Sequence, residues 1–200
     1  WAQIEEDDRT RSLEYVPQAD ASAWTLMSAS FVANGGETYL TVGYFGDLDH
    51  KGYTFLDNVE LHRYESELGC KASYFSGDAN EDINNYVPNP GFELMWGCPE
   101  AREDLHLAKA WFVAEETPDF YHRCGKGTAA VPKNGLGIQE PHGGDGYGGF
   151  WAYLPRRGDY REFITVRLRK PLIKGEVYCL SMWVSLADHC SWAVPDLQML

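Results

Sequence analysis

The chain has 200 residues, 44% of them hydrophobic and 14% aromatic, with a formal net charge of −13 at pH 7. That length is enough for one or two domains with real cores. The acidity argues against a nucleic-acid partner or an anionic membrane surface. No apolar run approaches the roughly 20 residues that a spanning helix needs, so no membrane insertion is expected in this segment.

Residues 1–23 are polar and carry Glu5, Glu6, Asp7 and Asp8 in a row, which reads as a solvated surface loop. Trp1 is read as an internal residue of a longer parent chain. Trp24 to Phe31 reads as a strand, and Asn34-Gly35-Gly36 as a turn. Thr38 to Phe45 and Tyr53 to Tyr64 read as two further strands, the second an alternating one with Asp57 among its apolar residues. A stretch rich in Gly, Ser, Asp and Asn follows. It divides the chain into residues 1–66, a connector at 67–84, and residues 85–200.

The second part opens with Asn85 to Glu93. Pro88, Pro90 and Gly91 break any continuous ladder there, so a kinked edge strand is expected. Glu93 follows a core aromatic, a costly place for a carboxylate unless a proton, an arginine or a cation pairs with it. Leu105, Leu107, Ala108 and Trp111 suggest a short strand or turn. Gly125 to Gly149 is glycine-rich and contains Pro141-His142-Gly143-Gly144-Asp145-Gly146. It lacks the Gly-Lys-Ser/Thr of a phosphate loop and reads as turns. Phe150–Tyr153, Tyr160–Leu168 and Glu176–Leu186 read as strands. Strands with Gly-rich turns and no helical period indicate an antiparallel all-β fold.

Asn89-Pro90-Gly91-Phe92-Glu93 resembles the first strand of jelly-roll carbohydrate-binding-like modules, and Leu56-Asp57-Asn58-Val59-Glu60-Leu61 resembles their last strand. Together with Cys98-Pro99, Thr117-Pro118-Asp119-Phe120, Cys124 and the strands over 159–187, the pattern is similar to a module of bacterial surface proteins. That module occurs in outer-membrane-associated proteins, often beside an OmpA-like domain. The resemblance implies an antiparallel, galactose-binding-like jelly-roll β-sandwich. Here the halves run in swapped order: 1–66 resembles the C-terminal half and 85–200 the N-terminal half. They either close one permuted domain or pair with other copies by strand exchange.

The resemblance also implies that Glu93 and Asp57 hold a structural calcium ion, with salt bridging or solvent exposure as the alternative. The expected disulfide joins Cys98 to Cys124, which fits a secreted setting; free buried thiols are the alternative. Cys179 and Cys190 are a further candidate pair, and Cys70 the leftover thiol.

Alternation puts Ile164, Val166, Leu168, Tyr178, Leu180, Met182, Val184 and Leu186 on core faces. The opposite faces carry Arg167, Ser181, Trp183 and Ser185, an aromatic among small polar groups. A sugar ring suits such a surface, with its C–H face on the aromatic and its hydroxyls on polar partners. Trp151, Tyr153 and Tyr147 form a second aromatic candidate near the Gly-rich loop. The alternative for both groups is ordinary packing. Six scattered His residues without zinc spacing and the absence of a Gly-x-Ser-x-Gly elbow give no support to an enzyme. The expected function is a non-catalytic module at the cell surface or in the periplasm, binding a glycan. The rival is a structural or adhesive repeat that assembles with a neighbouring surface protein or with itself.

Overall fold

The computed structural model describes residues 23–44, 51–64, 82–155 and 160–190, and the backbone of 11–14 and 196–199. Their regular structure is strands, β1 (Arg11–Glu14), β2 (Thr25–Val32), β3 (Tyr39–Gly43), β4 (Gly52–Arg63), β5 (Trp111–Glu115), β6 (Asp119–His122), β7 (Lys133–Asn134), β8 (Gly137–Ile138), β9 (Gly146–Tyr153), β10 (Phe163–Arg167), β11 (Val177–Leu186) and β12 (Asp196–Met199), with two single-turn 3-10 segments. One sheet has the order β1-β12-β3-β10-β5 and a second the order β2-β11-β4-β9-β6, with β7 and β8 forming a small hairpin. All strand pairs are antiparallel.

The segments before and after the connector share both sheets. In the second sheet β11 lies between β2 and β4, and β4 lies between β11 and β9. In the first, β3 lies between β12 and β10. The connector itself falls outside the described residues up to 81.

The main core lies between the sheets. Leu40, Val42, Trp111, Ile164 and Val166 of one meet Met27, Leu56, Val59, Leu61, Phe150, Leu180, Met182 and Val184 of the other. The expected core faces of β10 and β11 are therefore correct up to Val184. Leu186 instead packs against a smaller aromatic cluster of Tyr53, Phe55, Tyr121, Leu136, Tyr147, Ala187 and Cys190. That cluster lies on the outer face of the second sheet, under the β7–β8 hairpin and the turn after β11.

Strict alternation does not hold along β4. Ser181 of β11 faces Glu60 while Trp183 faces Asp57, so β4 spends three steps where β11 spends two. The extra residue is Asn58, at a positive φ of 48°. Asn tolerates this conformation better than most residues. The bulge reverses the pleat. Val59 and Leu61 point inward, as does Leu56 beyond the bulge, while Asp57, Phe55 and Tyr53 point outward.

Asn85 to Glu93 does not form the expected edge strand. It is a chain of bends lying along β4, through Tyr86 N–H to Leu61 O at 2.9 Å and Val59 N–H to Pro90 O at 3.0 Å. Two buried asparagines supply the missing ladder. Asn85 Oδ1 accepts from the N–H of Leu61 and Val87, both at 3.0 Å. Asn89 Nδ2 donates to Leu94 O at 2.8 Å and Lys109 O at 2.7 Å, and its Oδ1 accepts from Leu94 N–H at 2.8 Å. Phe92 then stacks on Trp111 with centroids 4.6 Å apart.

Two more segments differ from the sequence reading. Arg11–Glu14, within the stretch read as a surface loop, pairs with β12. Gly146 to Gly149, read as turn, is the first half of β9. Glycine serves packing there, since a Cβ on Gly149 would run into the Tyr53 hydroxyl.

The Cys98–Cys124 disulfide is present, with Cα atoms 5.5 Å apart. The Cys179–Cys190 pair is not formed: Cys190 is a free, buried thiol, and Cys179 is disulfide-bonded elsewhere. Cys70 also lies outside the described residues.

Asn89→Ala should lower unfolding stability by about 3 kcal/mol, from three lost hydrogen bonds and the positive φ. Asn89→Gly should recover about 1 kcal/mol of that. Urea denaturation of the three proteins checks both values.

Candidate functional site

The outer face of the second sheet carries the concentration of buried polar chemistry. It has a closed part, under the Gly-rich loop, and an open part, beside Trp151.

In the closed part, Asp57 and Glu93 both grip the loop 141–146. Asp57 is fully buried. Its Oδ1 accepts from Asn58 N–H at 2.7 Å, and its Oδ2 from His142 and Gly143 N–H at 2.9 and 3.1 Å. Glu93 Oε1 accepts from Asp145 and Gly146 N–H at 2.9 and 3.1 Å, and Oε2 from Asp145 N–H at 3.0 Å. Gly144, at φ 63°, lies so close that a Cβ would meet the Glu93 carboxylate. Burial pushes the Asp57 carboxyl well above the usual range, against the pull of its N–H donors, and raises Glu93 in the same way.

The two signature carboxylates are thus brought to one loop, as the resemblance implied, but their oxygens point at backbone N–H groups. Calcium takes six to eight oxygen ligands. Here N–H dipoles stand where the cation would, so this geometry does not fit calcium. Glu93, His122 and Asp145 also offer ligand atoms within 4.8 Å of one another. His122 Nδ1, however, accepts from Cys124 N–H at 3.1 Å. Its proton therefore sits on Nε2, leaving the ring no lone pair for a metal. Arg123 supplies the local positive charge, 2.9 Å from Asp145 and 2.9 Å from Glu140.

Trp183 is covered. His142 from the loop stacks on it, with centroids 3.9 Å apart and planes at 17°. Asn58 Nδ2 donates to His142 Nδ1 at 2.8 Å, which fixes the ring. Burial lowers the His142 pKa, consistent with a neutral ring. Ser185 is buried and donates to Gln139 Oε1 at 2.7 Å, and Ser181 is buried. Arg167 is exposed but belongs to the other sheet, opposite Tyr39. Trp183, Ser181, Ser185 and Arg167 therefore do not form one surface. Residue alternation within each strand was read correctly, but β10 and β11 lie in different sheets.

The open part is a cleft of about 170 Å³ lined by Arg102, Glu103, Thr117, Asp119, Trp151, Leu154, Tyr160 and Glu162. Trp151 is held by an edge contact with Tyr53 at 5.0 Å. Tyr153 lies further along β9, half-buried, with the Arg161 guanidinium 5.2 Å from its ring.

The cleft floor has two buried carboxylates. Asp119 Oδ2 accepts from the Tyr53 hydroxyl at 2.5 Å and the Tyr121 hydroxyl at 2.9 Å, and Oδ1 from Glu103 N–H at 2.7 Å. Glu162 Oε2 accepts from Trp151 N–H at 2.7 Å and Oε1 from the Tyr160 hydroxyl at 2.8 Å. Burial raises both, Glu162 to about 7.

Sequence reading found Trp151 but missed Asp119, Glu162, Tyr160 and Arg102. The available signal was Glu162 beside the apolar start of a strand, the same pattern that singled out Glu93. Trp96 is 75% exposed, with the Lys109 ammonium 4.6 Å from its ring.

Comparison of the chain with protein-family models, with curated proteins and with solved structures returned no match.

Two outcomes follow from this geometry. Millimolar calcium or a chelator should shift the melting temperature by less than about 1 °C, whereas a bound ion would add stability by mass action. A rise of several degrees with calcium would show that Asp57 and Glu93 exchange their N–H donors for a cation. The Glu162 pKa is raised on folding, so its ionisation disfavours the folded state. That contribution is absent below about pH 4.5, grows as pH rises, and levels off above about pH 7, at on the order of 3 kcal/mol. Urea unfolding of wild type and Glu162→Gln at pH 4.5 and pH 8 should show the variant gaining relative stability at the higher pH.

Proposed function

We propose that the chain is a non-catalytic glycan-binding module and that its binding site is the cleft at Trp151. The observation that carries this reading is the combination of a fixed, half-buried indole with carboxylate acceptors in one open recess. An indole and Leu154 suit the C–H face of a sugar, and Glu162 and Asp119 suit its hydroxyls. The volume is below the usual 300–1,000 Å³ of drug-sized pockets, so a single sugar unit is the natural occupant. A catalytic acid needs freedom to pass its proton to a substrate. Both carboxylates here are held by tyrosine hydroxyls and backbone N–H groups, which supports binding over catalysis.

The jelly-roll topology, with the halves in swapped order, belongs to the same reading. It is supported by two five-stranded antiparallel sheets that interleave strands from both parts of the chain. A setting at the cell surface or in the periplasm is supported by the Cys98–Cys124 disulfide. No helix among the described residues is long and apolar enough to cross a membrane.

A structural or adhesive repeat is the second reading. It is favoured by β5 at the end of its sheet, where Phe112 and Val113 are each 37% exposed. Exposed apolar edges invite pairing with another chain.

Trp151→Ala should weaken glycan binding at least tenfold, with near-ultraviolet circular dichroism reporting retention of the fold. Trp183→Phe should leave binding within about twofold, because Trp183 is covered. Isothermal titration across a panel of methyl glycosides checks this. If no glycoside binds and light scattering shows concentration-dependent assembly, the repeat reading replaces it.

A further inference from the structure

Resting on the binding reading above, we infer that the Trp151 cleft takes neutral sugar units and turns away acidic ones, such as uronic, sialic and sulfated sugars. Among the described residues, three acidic residues line the cleft, Glu103, Asp119 and Glu162, against one basic residue, Arg102. Asp119 and Glu162 are buried, so solvent screens them poorly. Arg102 is half-buried, and its positive charge acts on Asp119.

The hydrogen-bonding capacity points the same way. A carboxylate oxygen has two acceptor positions. The Glu103 N–H occupies one on Asp119 Oδ1, and the Trp151 N–H one on Glu162 Oε2. The remaining positions call for a donor, which a sugar hydroxyl supplies and a ligand carboxylate or sulfate does not. On Glu162 Oε1 the Tyr160 hydroxyl already donates at 2.8 Å and the Thr117 hydroxyl at 3.4 Å. Among the described lining residues, an anionic ligand would find Arg102 as the one charged donor, and repulsion from the floor.

Protonation adds a signature. Glu162, at about 7, faces Asp119 from β6, Tyr53 from β4, the Trp151 N–H from β9, Tyr160 and Thr117 beside it, and Arg102 and Glu103 from the loop before β5. A neutral sugar donating to Glu162 favours the ionised form, so its affinity rises from pH 6 to pH 8. An acidic sugar favours the protonated form, so its affinity falls over the same interval.

The test uses matched probes that differ only at C6: methyl β-glucoside against methyl β-glucuronide, and the corresponding galactoside and galacturonide. Each is titrated into the whole chain at pH 6 and pH 8, with amide and indole NMR shifts as the readout. At pH 8 at least one neutral glycoside should bind ten times or more tighter than its uronide, with the Trp151 indole signal moving. Glu162→Gln should raise uronide affinity and narrow the gap to about threefold, with the amide spectrum confirming the fold. If a uronide binds as tightly as its neutral partner at pH 8, charge selection is overturned while glycan binding stands. If no glycoside of either kind binds at tens of millimolar, the binding reading fails and this inference with it.

Discussion

One extra residue in β4 decides on which side of the sheet most of the chemistry stands. Without the bulge at Asn58, alternation would carry Asp57, Phe55 and Tyr53 into the space between the sheets, together with Val59 and Leu61. With it, β4 serves two cores in succession. Leu56, Val59 and Leu61 fill the main core, while Tyr53 and Phe55 build the aromatic layer outside. Tyr53 in turn anchors both Asp119 and Trp151, so the cleft depends on the same reversal. An inward Asp57 would have faced a hydrocarbon core with no donor to receive it.

The outer face then shows two solutions to one problem, how to bury a carboxylate in a protein of high negative charge. Asp57 and Glu93 are met by peptide N–H groups of a loop that glycine allows to approach closely. Asp119 and Glu162 are met mainly by side-chain hydroxyls, from Tyr53 and Tyr121 on one and Tyr160 and Thr117 on the other, with one peptide N–H each. The first arrangement seals the face over Trp183. The second leaves a recess, because hydroxyls at the ends of long side chains hold the acid without a loop lying across it. The functional reading of the two regions differs for this reason and not because their residues differ in kind.

The strands that bury a stripe of aliphatic residues were legible in the sequence, since β2, β3, β4, β10 and β11 each fall within about three residues of their expected bounds. Segments whose signal is not aliphatic alternation were not. Gly146 to Gly149 reads as turn by composition, yet it is a strand whose glycines make room for Phe92, Tyr53 and Tyr121. Asn85 to Glu93 reads as a strand interrupted by prolines, yet side-chain amides take over its hydrogen bonding. The meeting of Asp57 and Glu93 at one place agreed with the resemblance, but what they grip did not. The donors are main-chain groups, which no residue type announces. The cleft was half visible, through Trp151. Asp119 lies on β6 and Glu162 just before β10, in different sheets, and only the folded chain around Trp151 brings the two acids together.

The interleaving of early and late segments bears on how the chain reaches its native state. Leu56 pairs with Val184, and Tyr53 with Trp151, so the ladders on either side of β4 close over separations of about 130 and 100 residues. Ordering such distant contacts costs loop entropy before any ladder forms. During synthesis from the N-terminus, β4 would leave the ribosome long before β9 and β11 exist. Its apolar faces and both hydrogen-bonding edges would be bare for that interval. A strand rich in Tyr, Phe, Leu and Val in that state is the part of this molecule most in need of a chaperone.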